Sequence, residues 1–88
     1  MYRWELADSA EPEFASLSQS IQAALTAFMD AAVIVDPMEY QRRPDEPTYP
    51  PAPLRTLHFG HRHQGLVTFL VYPPEDLVLV VKIQWLGE

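Results

Sequence analysis

Cysteine is absent from this chain of 88 residues, which excludes a disulfide framework and a thiolate metal site. Glycine is scarce, with three positions, Gly60, Gly65 and Gly87. No Gly-rich phosphate loop, nucleophile-elbow serine or HExxH pair occurs. No apolar run is long enough to cross a bilayer, and no secretory hydrophobic segment opens the chain. The expectation is a cytoplasmic protein without membrane association. Cations are also few: six Lys and Arg face twelve Asp and Glu, for a net charge of -6. A balance of that sign argues against general affinity for nucleic acid.

One further absence is local. No Asp or Glu lies between Glu46 and Glu75, and Arg55, His58, His61, Arg62 and His63 all fall in that gap. A polar loop in an acidic protein and a local anion-binding patch are the two readings of this pattern.

The chain is organised around residues 54–86. Leu54 to Phe59, Leu66 to Tyr72 and Leu77 to Leu86 are β-branched and aromatic runs separated by turn residues. That pattern is an antiparallel meander. In the last run, Leu77, Leu79, Val81, Ile83 and Trp85 form a wholly apolar set, expected to lie under a helix. Val78, Val80, Lys82, Gln84 and Leu86 form the other face, which turns polar at Lys82 and meets solvent or a ligand there. In the first run, Arg55, Leu57 and Phe59 alternate with Thr56 and His58. Near the N-terminus, Tyr2, Trp4 and Leu6 alternate with Arg3 and Glu5, a half-buried strand.

Between these strands, Phe14, Leu17, Ile21, Leu25 and Phe28 recur every three or four residues. The spacing predicts one amphipathic helix over residues 11–30, with Pro12 in its first turn and Ser9 or Glu11 as N-cap. Ala31 to Val35 either continues it or forms a short second helix, and Asp36-Pro37 ends it. Residues 36–53 hold six prolines and form a stiff connector, in which residues 38–53 are expected to lack regular structure and to exchange their amides fast. The sum is one α+β domain over residues 1–88. Its expected core includes Trp4, Leu6, Leu17, Ile21, Leu25, Phe28, Val67, Phe69, Leu79, Val81 and Ile83. Val78, Val80 and Leu86, placed opposite the helix, predict a homodimer or a complex with an extended or helical partner segment.

The most suggestive cluster is Gly60-His61-Arg62-His63-Gln64-Gly65, with His58 just before it. Imidazoles near their unperturbed pKa of about 6.5 serve as general acid or base at neutral pH. A guanidinium holds phosphate bidentately. Together they suit RNA cleavage by 2′-hydroxyl attack. The candidate catalytic residues are Arg55, Arg62, His58, His61 and His63. The same histidines match no strong zinc spacing, so neither metal nor cofactor is expected. A polar hairpin loop is the reading without chemistry.

The order of these segments resembles the RelE/ParE toxin superfamily of type II toxin–antitoxin pairs. The resemblance is carried by Tyr2 to Leu6, the stripe from Phe14 to Phe28 and Asp36-Pro37. It continues through Leu54-Arg55-Thr56-Leu57, Gly60, Val67 to Tyr72 and Val78 to Ile83. It implies a helix or helical hairpin packed on a four-stranded, mainly antiparallel sheet, and an antitoxin that wraps the toxin. Ribonuclease members cleave mRNA in the ribosome with side chains on the sheet, whereas ParE-type members act on DNA gyrase. Phosphate contacts carry over to Arg55 and Arg62 only. Where that family often opens its penultimate strand with Arg, this chain has Leu66. After Trp85 it lacks the basic and aromatic set. Those departures keep two alternatives open: a catalytically silent protein-interaction module and a gyrase-binding inhibitor.

Overall fold

The computed structural model describes residues 2–35, 37 and 54–87. Among the described residues four strands form one sheet, and a helical layer covers one face of it. Strand β1 is Arg3–Leu6, β2 Leu54–Phe59, β3 Gly65–Tyr72 and β4 Leu77–Trp85. The order across the sheet is β1-β4-β3-β2. The meander from β2 to β4 is antiparallel, as the turn-separated runs predict. β1 pairs with β4 in parallel, so the sheet is mixed. Among the described residues the first and last strands are thus neighbours, and the chain leaves β1 for the helical layer and re-enters the sheet at β2, on the far edge.

The helical segment is broken where the sequence predicts one helix. Helix α1 is Glu11–Ala15 and α2 is Gln19–Phe28. Ser16 to Ser18 interrupts them, and Ser18 caps α2 by accepting a hydrogen bond from the Ile21 N–H at 3.4 Å. Serine competes for backbone hydrogen bonds and so favours a cap over a helix interior. Neither Ser9 nor Glu11 caps α1, since the N-cap is Ala10, which has no side-chain bond. After α2 the chain widens into a π-helical turn, Met29–Val33. This settles the ambiguous stretch from Ala31: it continues the helix with a changed pitch. The connector expected over 36–53 lies outside the described residues except for Pro37.

The core sits between the helical layer and one face of the sheet. Leu25, Met29 and Val33 come from the helices, and Val67, Phe69, Val78 and Val80 from the strands, all fully buried. Each such side chain contributes roughly 1.5–3 kcal/mol by leaving water. Phe14, Leu17, Ile21 and Phe28 pack against this core, as the stripe requires. Trp4 and Leu6 also pack against it while only half buried, and the Trp4 indole N–H donates to Asp30 Oδ1 at 2.9 Å.

The faces of β4 correct the sequence reading. Phe69 pairs with Val80 while Thr68 pairs with Lys82, so Val81 is an extra residue in the ladder. This β-bulge shifts the alternation by one position. Val78 and Val80 are therefore buried before it and Ile83 after it. Leu79 and Val81, expected in the core, are only half-buried. Val78 and Val80 leave no free apolar surface to attract a partner, whereas Leu86 is 64% exposed.

The bulge has partners from the far end of the sequence. β1 stops at Leu6, opposite Val80, and the Ala7 N–H closes that pairing on the Val80 carbonyl. Beyond it, the Ser9 hydroxyl donates to the Val81 carbonyl at 2.8 Å. Glu13 Oε1 accepts the Ile83 N–H, also at 2.8 Å. The segment around α1 thus satisfies backbone groups that β1 is too short to reach. Glu13→Ala is expected to destabilise the domain by about 1–3 kcal/mol, because it strands a part-buried N–H. Glu13→Gln, which keeps the acceptor, should cost less. Urea titration of the two variants, compared at equal slope, checks the difference.

Candidate functional site

The open face of the sheet, opposite the helices, follows from the pairing. Inward residues of β3 are Val67, Phe69 and Val71, so Leu66, Thr68 and Leu70 face outward. Their partners extend the face in rows. One row is His58, Leu66 and Gln84, and the next is Thr56, Thr68 and Lys82. A third row, Leu54, Leu70 and Leu79, is apolar and ends at Glu5 of β1. The face is therefore divided into a polar half near the turn after β2 and a leucine half near the start of β4.

The polar half is ordered by hydrogen bonds. Thr56 and Thr68 hydroxyls meet across the strands at 2.8 Å, a cross-strand pair that ties the edge strand to its neighbour. His58 Nδ1 lies 3.2 Å from the His63 carbonyl. A carbonyl only accepts, so Nδ1 carries the proton and Nε2 is left as an acceptor. The two imidazoles stand edge to face with centroids 5.8 Å apart. Lys82 is exposed and, among the described residues, has no carboxylate within ion-pair range. Arg3, on the β1 edge of the same face, is already engaged. It pairs with Glu5 at 2.8 Å and donates to the Glu75 carbonyl, also at 2.8 Å. The hydrogen bond to Glu5, with that carboxylate's charge, raises the Arg3 pKa above its ordinary value.

The turn that holds His63 is strained. Arg62 and His63 both have positive φ, 64° and 56°, a region that costs a non-glycine residue about 1–2 kcal/mol. Gly60 precedes them at φ 87° and ψ 169°, which glycine alone adopts with ease. A Cβ there would also crowd the Trp85 ring at 3.3 Å. The turn closes with the His63 N–H on the Gly60 carbonyl at 3.1 Å. These constraints aim the His63 carbonyl at His58.

Of the five residues chosen from sequence, the structure brings together two, His58 and His63. Arg62 is exposed in the same strained turn. The His61 side chain lies outside the described set. Arg55 pairs with buried Phe69 and so sits on the helix-facing side of β2, across the sheet from His58. It engages other groups there. Sequence reasoning missed Lys82 as a site residue. Its signal was present, since Lys82 and Gln84 interrupt the otherwise apolar run of the last strand. Among the described residues no three His, Asp or Glu gather as metal ligands, and no helix is long and apolar enough to cross a membrane.

The fold has a counterpart among solved structures. The isolated E. coli RelE toxin superposes with a TM-score of 0.67 over 100% of this chain and 87% of its own, at 13% identity. The chain has the RelE fold. A chain of the intact E. coli RelBE toxin–antitoxin complex matches equally well, with TM-score 0.67, 12% identity and full coverage of both chains. No protein-family model matches the sequence. No curated protein matches it either. At this identity the RelE likeness lies in backbone course rather than in shared side chains. The element order behind the RelE/ParE resemblance is thus the part that the structure reproduces.

Proposed function

We propose that this RelE-like chain is the toxin of a type II toxin–antitoxin pair and that it cleaves RNA on the open sheet face. The observation that carries the reading is His58, whose Nδ1 proton is committed to the His63 carbonyl. Its Nε2 takes the proton of a ribose 2′-hydroxyl, and the freed oxygen attacks the adjacent phosphorus. A 2′,3′-cyclic phosphate forms as the bond to the 5′ oxygen breaks, solvent water gives that leaving oxygen a proton, and His58 returns its own proton to solvent. Lys82 stabilises the charge that develops on the phosphate. Two strand spacings across the sheet and two residues along it, about 12 Å of backbone, separate the two residues, and the Lys82 side chain is long enough to reach toward His58 over Thr68. Arg62 and His63, at the rim, bind the flanking phosphate. The substrate is mRNA on the ribosome.

A second reading has its own support. The leucine half of the open face holds half-buried Leu54, Leu70, Leu77 and Leu79 beside Tyr72, which is 44% exposed. Such a surface suits a partner segment. With Arg55 on the far side of the sheet and a net charge of -6, a toxin-like fold that acts by binding alone needs nothing more. A tightly repressed expression test separates the two. Under the ribonuclease reading, induction slows growth and lowers translation, and Lys82→Ala relieves both. If wild-type induction changes neither, the ribonuclease reading fails and the interaction reading stands.

A further inference from the structure

A second feature lies away from the open face, where the helical layer ends. Tyr2, Asp30, Ile34 and Val35 line a cavity of about 450 Å³ beside the start of β1. The π-helical turn creates its wall. The Ile34 N–H donates to the Met29 carbonyl at 3.0 Å, five residues back, which widens the helix by one residue. Met29 and Val33 stay fully buried, while Val35 is turned outward and is 72% exposed. Asp30 stands at the rim. Its Oδ1 accepts the Trp4 indole N–H at 2.9 Å, and this holds the exposed carboxylate in one orientation. Among the described residues no cation pairs with Asp30, since Arg3–Glu5 is the only ion pair there.

We propose that this cavity is a docking subsite for an arginine side chain of a protein partner. Arginine has the three parts the cavity asks for. Its aliphatic stem covers Ile34 and Val35, which would otherwise stay in water. Its planar guanidinium lies against the Tyr2 ring. Its N–H groups donate to the Asp30 oxygen that Trp4 leaves open. Charge supports the same occupant, because a chain at -6 attracts a basic partner and repels an acidic one. The subsite is independent of the open face and requires no ribonuclease activity.

The test uses the Trp4 indole N–H as a reporter, since it bonds directly to Asp30. The full chain, labelled with ¹⁵N, is titrated with N-acetyl-arginine methylamide and, separately, with its neutral isostere N-acetyl-citrulline methylamide. The Trp85 indole serves as internal reference. The expected result is a saturable shift of the Trp4 signal with the arginine compound only. Asp30→Asn keeps an acceptor for Trp4 but removes the charge, and it should weaken binding about tenfold or more. Val35→Lys, at an exposed position, sets a competing cation beside Asp30 and should weaken it comparably. No Trp4 shift with the arginine compound, an equal shift with citrulline, or unchanged affinity in both variants overturns the proposal. A protein without toxicity can still give the expected shift, so failure here and failure of the toxin reading are distinguishable.

Discussion

Phe59→Ala is expected to lower the unfolding free energy by roughly 3–5 kcal/mol, the range for truncating a buried phenylalanine. Phe59 is 2% exposed on an edge strand, where such burial is uncommon. Its ring lies 6.5 Å from Phe28 of α2 and 6.1 Å from Trp85 of β4, centroid to centroid. It also covers Gly65, its partner across the strands, where a Cβ would fall 2.4 Å from the ring. Losing the ring therefore opens a void beneath the helix, beside the indole and over a bare stretch of backbone at once. A domain of this size holds only about 5–15 kcal/mol in total. The thermal midpoint should fall by about 12 °C or more. Circular dichroism melts of the variant and wild type check this. A midpoint within a few degrees of wild type would mean that α2 does not pack on this end of the sheet.

His58→Ala is expected to slow RNA cleavage by about 10²–10⁴-fold, the usual loss when a general base is removed. The folded state should survive, because His58 is exposed and its one bond is to a turn carbonyl. Steady-state cleavage of a ribosome-bound message, measured with the two proteins at equal folded concentration, reads the ratio. Arg55 gives the contrast. It lies on the other side of the sheet, so any effect of Arg55→Ala should appear in the melting temperature and leave the cleavage rate of the folded protein intact. A ratio near one for His58→Ala would remove His58 as the base.

The sequence by itself determined the strands, the helical stripe and their order. Period-2 alternation placed β2, β3 and β4 within a residue of their observed ends. The reason is that Leu57 and Phe59 alternate with Thr56 and His58, that Thr68 stands between Val67 and Phe69, and that turn residues bound each run. The same contrast already put Arg55 and His58 on opposite faces of β2, which is the fact that splits the proposed site. Ser16 and Ser18 also carried the helix break in plain view, as a cap signal inside the apolar stripe.

Tertiary structure alone decided the faces of β4. From Leu77 to Val81 both sets of alternating residues are apolar, so hydrophobic pattern does not distinguish inside from outside. The choice is made by the bulge at Val81. At that bulge the Val81 carbonyl accepts from Ser9 and the Ile83 N–H donates to Glu13, 72 and 70 residues away in the chain. A local pattern holds no trace of such partners. They exist because β1, four residues long, runs out beside a strand of nine and leaves backbone groups for α1 to satisfy. By moving the alternation one step, the same bulge buries Val78 and Val80 and still delivers Lys82 to the open face beside Thr68.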